Sequence, residues 1–335
     1  MMSDNHEHQE IENSQDKPGC TGQQNNRITA DLIPDPTLTL NNVVNELCDP
    51  KSYDKLYFHD THAVSMPSLT ALKEVVERLR TVLFPGYFGD SDLTPETMPF
   101  YVGAALDQIA RLLTDQFLRG YCVTCFKASG TYCHDCNLLA KESVSRFLGV
   151  IPRIRELLAT DVQAAFLGDP AANSLNEVIF CYPSIKALTS YRIAHELHCL
   201  GVPLLPRMIT ELAHSETGID IHPGAEIKDH FFIDHGTGTV IGATSVIGSH
   251  VRIYQGVTLG AKSFPLDEVG NLIKGIPRHP IIEDDVIIYS GATILGRVTI
   301  GKGSVIGGNV WITEDVPAGN QVTQRQAKKI FISPS

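Results

Sequence analysis

Between Gly218 and Pro317 aliphatic side chains recur every six residues, and no other feature limits the fold of this chain as strongly. Ile282, Ile288, Ile294, Ile300, Ile306 and Ile312 form one unbroken register. Ile241, Ile247, Ile253 and Leu259 form a second, and Ile221, Ile227 and Ile233 a third. Two residues before these positions stand small or β-branched residues such as Val286, Ala292, Val298, Ser304 and Val310. Six residues of α-helix turn through roughly 600°, so a helix would scatter the marked side chains over several faces and bury none of them together. In extended chain an even period points them all to one side. Gly242, Gly248, Gly260, Gly301 and Gly307 directly follow marked residues, which predicts corners of special backbone geometry there. Short strands, regular corners and one inward side chain per strand describe a hexapeptide-repeat parallel β-helix.

The repeat is interrupted twice. Ile233 and Ile241 are eight apart, so two extra residues bulge out within Asp234-His235-Gly236-Thr237-Gly238. The register breaks again from Leu259 to Ile282, across the polar stretch Ala261 to Pro280. Insertions in a repeat protein become loops, and loops on a rigid scaffold are where binding chemistry concentrates. Both breaks carry histidine.

Before the repeat the period is helical, as in Ser68 to Leu79 and from Thr94-Pro95-Glu96 into Val102, Ile109 and Leu113. Further helices are expected over 137–158, 159–167, 184–200 and 204–214. The expected organisation is a disordered polar tail (1–35), a helical domain (36–215), the β-helix (216–321) and a short tail (322–335). His6 and His8 fall in the polar tail and are read as solvated. A net charge of -11 argues against a nucleic-acid or anionic membrane surface. No apolar run reaches membrane-spanning length, and the start Met1-Met2-Ser3-Asp4 lacks signal-peptide features, so a cytoplasmic protein with mostly reduced cysteines is expected.

Cys122-Val123-Thr124-Cys125 and Cys133-His134-Asp135-Cys136 are two CxxC pairs seven residues apart. Such pairs can each hook one side of a tetrahedral metal, so a structural zinc on Cys122, Cys125, Cys133 and Cys136 is the first reading. A reversible dithiol pair or an iron–sulfur site is the alternative. Cys48, Cys181 and Cys199 are expected as small buried apolar residues, and Cys20 as a tail thiol.

At the first break, a neutral imidazole whose second nitrogen is held by a carboxylate makes a general base near neutral pH. His235 fits that role, with Asp220 and Asp234 as candidate orienters. Asp220 precedes His235 by fifteen residues, close to one coil less a corner. At the second break, Arg278-His279 suits a carboxylate ligand, the guanidinium binding it bidentately and the imidazole adding a donor.

From about residue 155 to 318 the chain resembles the serine O-acetyltransferases. The resemblance rests on Ala159-Thr160-Asp161-Val162-Gln163-Ala164, Asp169-Pro170, Tyr191-Arg192-Ile193-Ala194-His195, Asp220-Ile221-His222-Pro223-Gly224-Ala225, Asp234-His235-Gly236-Thr237-Gly238, Gly256-Val257-Thr258-Leu259-Gly260 and Arg278-His279-Pro280. It implies a helical N-terminal domain followed by a left-handed β-helix, three of which associate with active sites between neighbouring subunits. It implies acetyl transfer from acetyl-CoA to the hydroxyl of L-serine, the step that starts cysteine biosynthesis. By position, His235 matches the catalytic base and Asp220 its carboxylate partner, while Asp169, Asp234, Arg278 and His279 match the groups that hold serine. Gly260, Ala261, Ser290 and Gly308 match the backbone along which the acetyl-CoA arm runs.

The resemblance leaves several points open. A trimer or a dimer of trimers is expected, and in feedback-sensitive relatives cysteine occupies the serine pocket. The loop Ala261 to Ile276 is longer than in the shorter members and resembles the longer bacterial branch, where it can act as a lid. Members that dock into cysteine synthase end in isoleucine, whereas three residues follow Ile332 here, which argues against that partnership. Arg325, Lys328 and Lys329 are either CoA phosphate contacts or a solvated tail. Competing functions are the same chemistry on a sugar or homoserine, a γ-type carbonic anhydrase, whose three-histidine zinc arrangement is not evident in the sequence, and a catalytically idle scaffold.

Overall fold

The structure, a computed structural model, describes residues 36–53, 56, 64–89, 92–125 and 134–324. The expectations placed on His6, His8, Cys20 and the rest of 1–35, on Cys133, and on Arg325, Lys328, Lys329 and Ile332 lie outside the described residues. Helices α1 (Pro36–Cys48) and α2 (Pro50–Tyr53) belong to a unit of their own, Met1–His59. Along α1, Leu38, Leu40, Val43, Val44 and Leu47 are exposed.

The second unit, Asp60–Ser335, holds the remaining helices and the β-helix. Helix α3 (Leu69–Leu83) starts at Ser68, whose hydroxyl accepts from the Ala71 N–H, and its apolar stripe of Leu72, Val75, Val76, Leu79, Val82 and Leu83 is buried. Helix α4 (Met98–Thr124) begins three residues later than Thr94-Pro95-Glu96 suggests. Thr94 and Thr97 instead exchange bonds between backbone N–H and hydroxyl groups, closing a turn ahead of the helix. Helix α5 (His134–Gly168) runs unbroken through both segments expected as separate helices, with Pro152 inside it. Then come α6 (Leu175–Cys181), which the apolar periodicity does not announce, α7 (Pro183–Cys199) and α8 (Leu205–Thr217), which ends at Gly218 with φ of 70°. Cys48, Cys181 and Cys199 are exposed rather than buried, each at the last residue of its helix. No helix among the described residues is long and apolar enough to cross a membrane.

The repeat then winds through short strands. The first coil is β1 (Asp220–Ile221), β2 (Glu226–Ile227) and β3 (Phe232–Asp234); the second is β4 (Val240–Ile241), β5 (Val246–Ile247) and β6 (Arg252–Tyr254). The third is β7 (Thr258–Gly260), β8 (Ile281–Ile282) and β9 (Ile287–Ile288), and the fourth β10 (Thr293–Leu295), β11 (Thr299–Ile300) and β12 (Val305–Ile306). Strands β13 (Trp311–Ile312) and β14 (Gln321–Val322) follow. Through β13 every third strand stacks in parallel, and β14 then stacks on β12, giving a first sheet β1-β4-β7-β10-β13, a second β2-β5-β8-β11 and a third β3-β6-β9-β12-β14. This is the expected left-handed parallel β-helix. The marked residues of all three registers, Ile221 through Ile312, are buried, each stabilising the coil by roughly 1.5–3 kcal/mol.

Two corrections concern the corners. Gly242, Gly248, Gly260, Gly301 and Gly307 are not left-handed; they are glycine because a later turn of the coil lies against them. A Cβ on Gly242 would stand 2.0 Å from the His279 ring, and one on Gly301 2.4 Å from the Ala318 nitrogen. The left-handed corners are instead Gly238, Gly256, Gly291, Gly303 and Gly319, together with His230, His235, His250, Asp285 and Asn309.

The helices are pinned to the first coil through buried polar contacts. Arg192 of α7 meets Asp161 of α5 at 3.0 Å and donates to the Ile227 and Lys228 carbonyls, while Asp161 accepts the Phe231 N–H at 3.0 Å. The Tyr191 hydroxyl donates to the Ala225 carbonyl at 2.6 Å. Side chains that occupy one arrangement for so many partners fix where α5 ends, and α5 ends at the site.

Candidate active site

The three sheets meet at three edges, and both interruptions of the repeat fall on edges of the first sheet. Asp220 pairs with Val240 and Val240 with Thr258, so the first coil is two residues longer than the second. The surplus sits at 235–239, where the chain turns from the third sheet back to the first. The longer insertion leaves β7 and returns at β8, at the edge between the first and second sheets.

At the first of these edges, β3 delivers Asp234 and the turn delivers His235. His235 Nε2 lies 3.8 Å from Asp234 Oδ1, and the ring is largely exposed, at 73%. Its backbone is left-handed, with φ of 55°, and Gly236 at φ of 89° follows. A Cβ on Gly236 would fall 2.6 Å from Ile219 and 2.9 Å from Ile233, so glycine lets the bulge close down on the core while His235 projects. Asp169, directly after α5, joins this edge. Its carboxylate accepts the Tyr182 hydroxyl at 2.5 Å and the Ala171 N–H at 2.8 Å. The Tyr182 bond first, then the Ala171 bond and the nearby His235, hold the Asp169 carboxyl below the usual carboxylate range. Burial, then Asp169, pushes the Tyr182 phenol up, so it donates to Asp169 throughout the working pH range. Tyr182 went unnoticed in the sequence, where nothing separates it from any other tyrosine beside a proline.

Asp220 lies on the outer face of β1, with Arg207 of α8 3.9 Å away. Among the described residues, the carboxylate within ion-pairing reach of His235 is Asp234.

At the second edge, Thr244 organises Arg278 and His279. Its hydroxyl accepts the Arg278 N–H at 2.9 Å and the His279 N–H at 3.1 Å. His279 Nδ1 accepts from the Thr244 N–H at 3.1 Å, so the neutral ring carries its proton on Nε2 and presents a donor. Burial, then Arg278 and Arg297, lower the His279 pKa and keep that ring neutral. Arg278 Nε is buried without a hydrogen-bond partner among the described residues, a cationic donor left for something else to satisfy. Nearby, His222 is held down to about 4 by burial and then by Arg207. This edge therefore gathers permanent cations and neutral imidazoles, the environment a carboxylate prefers. Because the His279 ring rests on Gly242, Gly242→Ala should displace it. The expected result is a rise of about tenfold in KM for the carboxylate-bearing substrate with the fold intact, read from initial rates and circular dichroism.

The four cosubstrate positions also divide between the edges. Gly260 ends β7 with Ala261 behind it, and a Cβ on Gly260 would stand 2.8 Å from Leu295. Ser290 and Gly308 face each other across successive turns at the other edge, a Gly308 Cβ falling 3.1 Å from the Ser290 carbonyl oxygen. At both places the glycine accommodates a close approach of the neighbouring coil.

The expected zinc site is not supported. Cys122 and Cys136 are buried in one small cluster, with Cys125 packed against it, and Cys133 lies outside the described residues. Among the described residues no group of three or more potential ligands is placed to hold a metal ion.

A solenoid of this kind, with an imidazole and carboxylates at one edge and a cationic cluster at the next, has the architecture of the hexapeptide-repeat acyltransferases. Residues 279–314 match the family model described as bacterial transferase hexapeptide (six repeats). A serine acetyltransferase of Synechococcus elongatus, plasmid-encoded by its name, is 54% identical over 266 residues, covering 78% of this chain and 83% of that protein. That of Bacillus subtilis is 45% identical over 161 residues, 48% of this chain and 70% of its own. Among solved structures, serine acetyltransferase 1 of Entamoeba histolytica in complex with L-cysteine superposes with a TM-score of 0.66 at 34% identity, covering 85% of this chain and all of its own. The chain belongs to the serine acetyltransferase family.

Proposed function

We propose that the protein transfers the acetyl group of acetyl-CoA to the hydroxyl of L-serine, giving O-acetylserine and CoA. The observation that carries this reading is the separation of complementary groups: anionic Asp169 and Asp234 beside His235 at one edge, and Arg278 with His279 at the other. An amino acid has an ammonium for the first set and a carboxylate for the second. In this reading Asp169 and Asp234 hold the amino group, Arg278 and His279 the carboxylate, and Tyr182 keeps Asp169 oriented. His235 takes the serine hydroxyl proton as the oxygen bonds to the thioester carbonyl carbon. The carbon–sulfur bond then breaks and the imidazolium returns the proton to the departing thiolate. Asp220, which ion-pairs with Arg207 at 3.9 Å, is assigned as the orienting carboxylate of His235. Gly260, Ala261, Ser290 and Gly308 line the acetyl-CoA arm and let its carbonyl reach main-chain N–H donors.

The two halves occupy different edges of one sheet, so a site that uses both is completed by a second copy of the chain. We assign that copy to a closed trimer around the first sheet, whose outer row beyond Asp220, namely Val240, Thr258, Thr293 and Trp311, carries no charge; Trp311 is 68% exposed. L-cysteine has the same ammonium and carboxylate as serine and is assigned to the same pocket as an inhibitor. The deciding assay is release of free CoA from acetyl-CoA with serine, homoserine or a sugar as acceptor. Serine-dependent release that added cysteine suppresses is the expected result; turnover only with another acceptor would overturn the assignment.

A further inference from the structure

The third edge of the coil, between the second and third sheets, carries a cluster that the acetyl transfer does not use. His230 and His250 hold equivalent corners of successive coils, since β3 and β6 pair Phe232 with Arg252. Both are left-handed, with φ of 54° and 59°. That conformation, shared by Asp285 at the same corner of the next coil, costs a residue other than glycine about 1–2 kcal/mol, and here it leaves the two rings stacked 4.3 Å apart. Beside them Arg252 lays its guanidinium 5.8 Å over the Phe232 ring. That guanidinium makes no hydrogen bond or ion pair among the described residues. The opposite wall is the last turns of α5, with Gln163 facing the cleft and Gly168 so close that a Cβ there would stand 3.0 Å from Arg252 Nη2. The cleft is open to solvent and has a volume of about 350 Å3.

The charge of this cleft is one-sided. Its nearest carboxylate, Asp229, is already bound by the Ser249 hydroxyl and by His230 Nδ1 at 2.7 Å, and these bonds, Ser249 first, lower its pKa to about 2. Asp161 behind it is committed to Arg192 and the Phe231 N–H. The bond to Asp229 places a proton on His230 Nδ1. What remains is an unpaired guanidinium, two imidazoles and an amide, supplied from a corner, a strand and a helix. Donors converging from three elements suit a compact multivalent anion better than a planar carboxylate.

We propose that this cleft binds a small tetrahedral oxyanion, either free phosphate or sulfate or the phosphate end of a larger ligand. The inference is independent of the acetyl-transfer reading. The test is calorimetric titration of the full chain with inorganic phosphate and with sulfate. It is repeated on Arg252→Met, which keeps an unbranched stem over Phe232, and on the double variant His230→Asn, His250→Asn, since asparagine tolerates left-handed backbone. Saturable binding of one ion per chain is expected, weakened by about tenfold or more in each variant. Absence of saturable binding in the unaltered protein would overturn the proposal, whatever the variants do. So would binding of equal strength in folded variants, because the ion would then sit elsewhere. Competition separates the two sources: displacement by CoA but not by dephospho-CoA assigns the site to the 3′-phosphate of the cosubstrate, and no displacement assigns it to a free ion. Both outcomes uphold the oxyanion site.

Discussion

Replacing His235 by alanine should lower kcat by about 10²–10⁴-fold and leave the protein folded, the range a positioned general base supplies. The residual rate comes from positioning and oxyanion stabilisation, which the substitution leaves in place. Folding should survive because the ring is 73% exposed and makes no core contact. The backbone is a separate concern, since φ at this position is 55°. His235→Asn therefore belongs beside the alanine variant, because asparagine accepts that geometry and removes the base all the same. Initial rates of CoA release, with a thermal midpoint for each variant, give the answer. Near-normal turnover in a folded variant would take His235 out of the mechanism.

The second large effect is on stability. Asp161→Asn should cost about 3–5 kcal/mol, because it leaves the Arg192 guanidinium buried without its counter-charge. Asp161 is fully buried and Arg192 is 4% exposed, so solvent cannot take over the lost interaction. The loss should spread to the site, since this pair ties α5 and α7 to the first coil and α5 ends beside Asp169. Urea midpoints measure it. A double replacement of Asp161 and Arg192 by leucine should cost less than Asp161→Asn, as it removes the orphaned charge along with the bond. A single substitution as stable as the unaltered protein would show that the pair does not hold the helices in place.

The β-helix was legible because its signal is carried residue by residue: each inward isoleucine is needed, and helix and sheet predict incompatible burial for a period of six. The edges to which the site is assigned were legible for the same reason, as breaks in that period at 235–239 and 261–280. Corner geometry was not. Which glycine is left-handed and which merely lies under the next coil depends on stacking, as at Gly242 beneath His279, and one strand at a time does not reveal it. Tyr182 and Thr244 escaped for a related reason. Thr244 meets Arg278 and His279 only after the coil has returned through a long insertion, and Tyr182 meets Asp169 only after α6 has folded back. The cysteines show the limit of composition: Cys181 and Cys199 read as buried by residue type, yet both are exposed at the ends of their helices.

Subunit complementation tests the divided site most directly. Chains carrying His235→Ala and chains carrying Arg278→Leu should each be nearly inactive alone. Every mixed ring of three contains one junction where an unaltered His235 edge faces an unaltered Arg278 edge, so random co-assembly should restore about a quarter of the sites. Recovered serine-dependent CoA release near that fraction is the predicted result. Mixed assemblies no more active than either parent would contradict a site shared between neighbouring copies.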